Sequence, residues 1–248
     1  MGQIRLFLDE KDLHIGATIK ITNGDFDYLT KVMRQKVNDE FQVFNGIDGQ
    51  VTSKILEVTK KFLIAEIVQK TATLTKVPNI TLAFAPVKNV RVDFIAAKAT
   101  ELGVASFQPI LTRRSVVDKI NQQRFRSNVK EACEQCERND FPEINDLLKL
   151  DKLLNTAESG SKIFILCDES GQGEKASLLL PKIKLENQES STEFVILIGP
   201  EGGFSPEEFE KMRAISNVHS ISLGPRILRT DTAIISALTL VQEFIGDF

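Results

Sequence analysis

The chain has 248 residues, 42% of them hydrophobic and 26% charged, with a formal net charge of −3. That is an ordinary globular composition for one to two domains, and the small negative charge argues against a general nucleic-acid-coating protein. No apolar run approaches the roughly 20 residues of a membrane helix, and MGQIRLFLDEKD carries charges where a signal peptide needs an apolar core, so the chain reads as cytoplasmic with no membrane partner.

MGQIRL lacks the Ser or Thr that a myristoylation signal places sixth, so Gly2 is read as a start residue. Three cysteines make no paired disulfide framework. Cys133 and Cys136 form a lone CxxC inside a helical pattern, and the two histidines, His14 and His219, are distant. Small buried residues on one helix face are the expectation there, with no metal.

Residues 1–72 read as a β-rich first domain. IRLFL is a short strand and DFDYLTKVMR the one helical piece. FQVF, NGIDG and VTSKILEV form a hairpin whose Asn-Gly and Asp-Gly steps supply positive φ, and KKFLIAEIVQK adds a strand. Several short strands in this length predict a small barrel. TATLTKVPN is the linker.

Residues 73–248 alternate strand and helix. ITLAFAPV, VASFQPILT, KIFILCDE, EFVILIGP and HSISLG are strands. VRVDFIAAKATELG (closed by Gly103), QQRFRSNVKEACEQCERN, SPEEFEKMRAISN and TDTAIISALTLVQEFIGDF are helices. The pattern predicts an α/β domain built on a mostly parallel sheet. The SGSK and KLENQESST segments read as polar loops.

Charge is uneven. Residues 88–138 hold 10 basic and 6 acidic groups, whereas 139–248 hold 10 and 18. A basic middle in an acidic chain can be an anion-binding face, although clustering on solvated helices gives the same count.

Three stretches carry chemistry. In IGPEGGFSPEE a strand runs into a turn with Gly199, Gly202 and Gly203, then a Ser205-x-x-Glu208 capping box with Pro206 first in the helix. Ligands of open α/β sheets bind beyond the carboxyl ends of strands, and glycines there admit a ligand to the backbone. The spacing is neither GxGxxG nor a P-loop. SLGPRILRTDTA repeats the strand-end, Gly-Pro turn and helix start, with Thr230 the expected N-cap. Its Ile227–Leu228 pair between Arg226 and Arg229 is either a buried anchor or a pocket wall. In EACEQCER, Glu131, Gln135 and Arg138 fall at i, i+4 and i+7; by periodicity alone that stripe is a solvated face.

These blocks, with KATELGV and TRRS, resemble the RsmE-type 16S ribosomal RNA uridine-N3 methyltransferases of the SPOUT superfamily, in order over nearly the whole chain. Arg5-x-Phe7 and Val32-Met33-Arg34 resemble that family's opening domain. Three positions depart from its pattern: Tyr28 stands in the place of a usual His, Asp231 of Glu, and Phe125 of Trp.

The resemblance implies a PUA-like β-barrel over 1–72 and a SPOUT α/β domain over 73–248 with a trefoil knot in roughly 195–248. It implies S-adenosylmethionine as cofactor, a homodimer, and 16S rRNA within the small ribosomal subunit as partner. The cofactor residues it implies are Leu197, Gly199, Pro200, Glu201, Gly202 and Gly203 in one turn, and Leu223, Gly224, Ile227, Leu228 and Thr230 in the other. The RNA residues are Arg5, Arg34, Lys98, Arg113, Arg114, Ser115, Glu131, Gln135 and Arg138. Arg229 is the expected anion stabiliser, with Glu201 or Asp231 as proton acceptor. A ribose 2′-O-methyltransferase and a non-catalytic RNA-binding member are the alternatives.

Overall fold

The structure is a computed structural model that describes residues 4–9, 12–87, 89–159, 162–189 and 191–248. Gly2 and parts of the SGSK and KLENQESST loops, at 160–161 and 190, lie outside the described residues. The chain forms two compact units: Met1–Lys76 with Cys133–Phe141, and Val77–Ala132 with Pro142–Phe248.

The first unit holds β1 (Arg5–Phe7), β2 (Thr18–Thr22), α1 (Asn23–Asp27), β3 (Glu40–Phe44), β4 (Gln50–Val58) and β5 (Phe62–Ala72). They form one sheet in the order β1-β3-β4-β5-β2, parallel only at β1–β3. The hairpin expected at NGIDG joins β3 to β4. Asn45 Oδ1 accepts the N–H groups of Ile47 and Asp48 at 2.9 and 2.8 Å, an Asx turn that competes well with extended structure. Gly49, at φ +89°, is a steric requirement: a Cβ there would overlap the Ala72 carbonyl. β2 was not anticipated, although TIKIT alternates exposed and buried in the ideal strand period. Helix α1 runs into a π-turn over Tyr28–Val32, placing Leu29 in the core beside Phe26, Phe41 and Leu63.

Cys133–Phe141 closes on this unit through Arg5. Its Nη1 donates to the carbonyls of Cys133 and Glu134 at 3.0 and 3.1 Å, its Nη2 to that of Arg138 at 3.1 Å, and its Nε to Gln50 Oε1 at 2.9 Å. The Phe141 ring stacks on Phe7 with centroids 4.1 Å apart.

The second unit contains β6 (Ile80–Phe84), α2 (Asn89–Glu101), β7 (Ser106–Leu111), most of α3 (Gln122–Gln135), β8 (Glu143–Ile144), β9 (Leu148–Lys149) and α4 (Leu150–Leu154). It continues with β10 (Lys162–Cys167), β11 (Glu174–Lys175), α5 (Ala176–Glu186), β12 (Glu193–Ile198), α6 (Pro206–Arg213), β13 (Val218–Ser222) and α7 (Thr230–Phe244). The sheet order is β11-β13-β10-β12-β6-β7-β8, with β9 on β7, and every pairing is parallel. Strands covered on both faces read as unbroken apolar runs, which is why KIFILC and EFVILI were legible. Phe125, in the place of a usual Trp, is buried between Phe84 and Phe107. Helix α7 packs on α2, α5 and β12.

Two local expectations need correction. Thr230 is the first helical residue of α7; the N-cap is Arg229, with extended backbone and no side-chain cap. Helix α3 ends at Gln135, and Glu137 turns the chain at φ +66°, so Arg138 leaves the stripe of Glu131 and Gln135.

Candidate functional site

Strand β10 lies between β12 and β13, parallel to both, with Leu166 beside Leu197 and Cys167 beside Ile221. Three loops therefore leave the same sheet edge side by side. They enclose a cavity lined by Cys167–Gly171 from the first, Ile198–Glu201 from the second and Leu223–Leu228 from the third, with Thr230 and Ala233 of α7. This is the carboxyl-end crevice where open α/β sheets bind ligands.

The cavity gathers Gly199, Pro200, Glu201, Leu223, Gly224, Ile227, Leu228 and Thr230, all expected there. Ile227 is 90% exposed at its rim. The Thr230 hydroxyl reaches the Gly199 carbonyl at 3.5 Å, linking the second and third loops. Leu197 faces the core, and neither Gly202 nor Gly203 lines the cavity. Arg229 is exposed at the α7 N-cap, and Asp231 in the first turn accepts the Thr232 N–H at 2.8 Å; neither lines the cavity.

The glycines of the second loop mostly serve the loop itself. A Cβ on Gly199 would stand 3.1 Å from the Phe204 ring. Gly203 has φ +68°, and a Cβ there would overlap Glu169 Oε1. Gly202 has only ordinary contacts at 3.7–3.8 Å with the Arg114 side chain. The capping box forms as read: Glu208 N–H donates to Ser205 Oγ at 3.2 Å, and Ser205 N–H to Glu208 Oε2 at 2.8 Å.

The first loop escaped sequence reading, which saw in KIFILCDE only an apolar strand. Its position between two loops with glycine turns was the missing signal, and that is a property of strand order. Asp168 Oδ2 accepts from Arg213 Nη2 at 2.6 Å, and its Oδ1 accepts the Ser170 N–H at 2.7 Å. Burial pushes this carboxyl up, but the hydrogen bonds from Ser170 and Arg213 outweigh it and hold the group below its ordinary value. Glu169 behaves oppositely. Desolvation and the Asp168 charge raise it, against the pull of Arg114 and a hydrogen bond from the Phe204 N–H. Burial also raises the Cys167 thiol, an inert neutral wall.

The TRRS segment follows β7. Ser115 Oγ accepts the Thr112 N–H at 3.0 Å and closes a turn. That turn presents the Arg113 N–H to Glu208 Oε1 at 2.8 Å and the Arg113 guanidinium to Glu207 at 3.1 Å. Arg114 Nη1 donates to the carbonyls of Gly202 at 2.9 Å and Phe204 at 3.3 Å. Lys98 pairs with Glu101 at 2.7 Å. Glu131, Gln135 and Arg34 are exposed. Arg5 is buried among carbonyls, and Arg138, half-buried, forms a two-point pair with Asp140 at 2.7 Å. Burial pushes the Cys133 thiol up to about 12, as a structural cysteine requires.

A family model described as an RNA methyltransferase domain matches residues 75–242, and one described as an RNA methyltransferase PUA domain matches residues 19–68. The chain is 31% identical over 215 residues to the ribosomal RNA small subunit methyltransferase E of Rickettsia conorii, covering 87% of this chain and 85% of that one. The protein of that name from Buchnera aphidicola of Acyrthosiphon pisum is 29% identical, covering 98% and 94%. Among solved structures, a Legionella pneumophila protein described as a methyltransferase, in complex with its cofactor S-adenosylmethionine, superposes with TM-score 0.86 at 27% identity over the full length of both chains. The ribosomal RNA small subunit methyltransferase E of Neisseria gonorrhoeae, bound to S-adenosylmethionine, does so with TM-score 0.84 at 27% identity, again over both full lengths. With that match across most of its length, the chain belongs to the RNA methyltransferase family, its methyltransferase domain preceded by the PUA domain of that family.

Proposed function

We propose that the protein methylates N3 of a uridine in 16S ribosomal RNA, using S-adenosylmethionine. The observation that carries this is the three-loop cavity at the ends of β10, β12 and β13. Its lining suits that cofactor. Leu223, Leu228 and the exposed Ile227 offer an apolar face to a flat base, the Gly199–Pro200 and Gly224–Pro225 backbones offer hydrogen bonds, and Glu169 and Glu201 offer negative charge to a cation. No group of three or more potential metal ligands occurs among the described residues, and the reading invokes no metal.

When bound, S-adenosylmethionine supplies an electrophilic methyl group on a cationic sulfur. The protein's task is to make a poor nucleophile available. Uridine N3 carries an imide proton, so it needs a general base to accept that proton or a cation to stabilise the developing anion. Glu201 is assigned as the acceptor because it lines the cavity, whereas Asp231 does not. Arg229, next to Leu228 and Thr230 of the wall, is assigned to the anion. Holding the uracil against the donor supplies much of the remaining acceleration, and the base must leave its stack to enter.

Residues 1–72 are assigned as the RNA-binding domain and 73–248 as the methyltransferase domain, with a trefoil knot in roughly 195–248. The assembled small subunit is assigned as substrate, a homodimer as the working form and the cytoplasm as its place. Among the described residues, no helix is long and apolar enough to cross a membrane.

Primer extension tests the reaction. A methyl on N3 blocks the Watson–Crick edge, so small subunits lacking the modification gain a reverse-transcription stop after incubation with protein and donor. Methyl incorporation without a stop overturns N3 chemistry and points to ribose. No incorporation leaves a non-catalytic RNA-binding protein.

A further inference from the structure

Arg114 and Glu169 come from different loops and hold the same three residues. Arg114 Nη1 takes the carbonyls of Gly202 and Phe204 at 2.9 and 3.3 Å. The Glu169 carboxylate fills the space that a Cβ on Gly203 would need, one residue before Phe204. The turn just before is closed by the Gly203 N–H on the Pro200 carbonyl at 2.9 Å. That turn carries Pro200 and Glu201, which line the cavity.

We propose that Arg114 and Glu169 are positioning residues that jointly clamp Gly202–Phe204 and so set the donor-facing shape of the Pro200–Glu201 turn, with Arg114 acting on donor binding rather than on RNA phosphates. This rests on reading the cavity as the donor site. The comparison with its neighbour decides the role of Arg114. The Arg113 side chain is 65% exposed, and its pair with Glu207 is a solvent-screened surface ion pair, which an incoming phosphate displaces at little cost. Arg114 already spends its Nη1 on two carbonyls of the segment that follows the Pro200–Glu201 turn, and a phosphate would have to compete with both. Glu169 is the matching brace. Without its carboxylate, the space beside Gly203 is left unfilled.

Calorimetry with S-adenosylmethionine and with S-adenosylhomocysteine, alongside rRNA-fragment binding at several salt concentrations, tests the assignment. Arg114→Ala weakens both nucleosides on the order of tenfold, because the two hydrogen bonds that hold Gly202 and Phe204 are lost, and leaves the salt slope unchanged. Arg113→Ala does the reverse, lowering the salt slope by about one and sparing the nucleosides. Glu169→Ala weakens both nucleosides, whereas Glu169→Gln, which keeps a side chain of the same shape beside Gly203, restores most of the affinity. Arg114→Ala with Glu169→Ala is less than additive, since both serve one loop. If Arg114→Ala does not fold, Arg114→Lys and Glu169→Gln carry the comparison, Arg114→Lys showing weakened nucleoside binding at an intact slope. Unchanged nucleoside affinity with a reduced salt slope in an Arg114 variant overturns the proposal. Failure of the parent protein to bind either nucleoside instead overturns the donor reading on which it rests.

Discussion

Gly203 and Glu169 fit one another as a missing side chain fits an occupied space. The carboxylate of Glu169 lies where a Cβ on Gly203 would project, and Gly203 sits at φ +68°. Gly203→Ala therefore costs both strain and a displaced carboxylate, on the order of 1–3 kcal/mol. Gly202→Ala meets only ordinary contacts and stays within about 0.5 kcal/mol of the parent. Thermal unfolding of the two variants side by side checks the contrast, and equal melting temperatures would contradict it.

Ile227 is nine-tenths exposed, so its replacement by Ser leaves stability within about 0.5 kcal/mol of the parent. If its side chain covers a bound adenine, the same variant weakens S-adenosylmethionine by about tenfold through lost apolar contact. Calorimetry and a melting curve on one sample separate the two effects. Full affinity in Ile227→Ser would remove this residue from the donor contact.

Arg5 holds three main-chain carbonyls and Gln50 from a buried position. Arg5→Met strands those acceptors and lowers the stability of the first unit by about 3 kcal/mol. Hydrogen exchange is the direct readout, with protection falling at β1 and in Cys133–Phe141. Lost RNA affinity with unaltered protection would instead assign Arg5 to the RNA.

The Asp168–Arg213 pair gives a signed pH dependence. Asp168 is held below its ordinary value of 3.8, so its contribution is complete above that value and disappears as pH falls through the lower folded value. Urea unfolding of the parent and Arg213→Met should show a constant gap near neutral pH that narrows below about pH 4. A gap that widens on acidification would reverse the sign.

The two turns were legible in the sequence because each combines a strand end, a Gly-Pro step and a helix start, although a side-chain cap forms only at Ser205 and not at the start of α7. The loop that completes the cavity was not, since Asp168 and Glu169 acquire meaning only when β10 is inserted between β12 and β13. Arg5 and Arg138 were both expected at the RNA, because neither the resemblance nor local periodicity reveals Arg5 acceptors more than a hundred residues away or a chain reversal after Gln135. Helix α5 was hidden by Pro181, which removes one helical N–H and reads as a breaker. Strand β2 drew no expectation, being only five residues long, although Ile19 and Ile21 are buried.

The insertion of β10 between two strands that follow it in the chain also sets an order of assembly. During synthesis, β10 emerges before β12 and β13, and its edges have no native partner until they appear. Non-local parallel pairing of this kind pays loop-closure entropy before it gains contacts, so it is slow. A nascent chain stopped before Leu223 has the first two cavity loops but not the third, so the cavity proposed for the donor is complete only when the last third of this domain has been made.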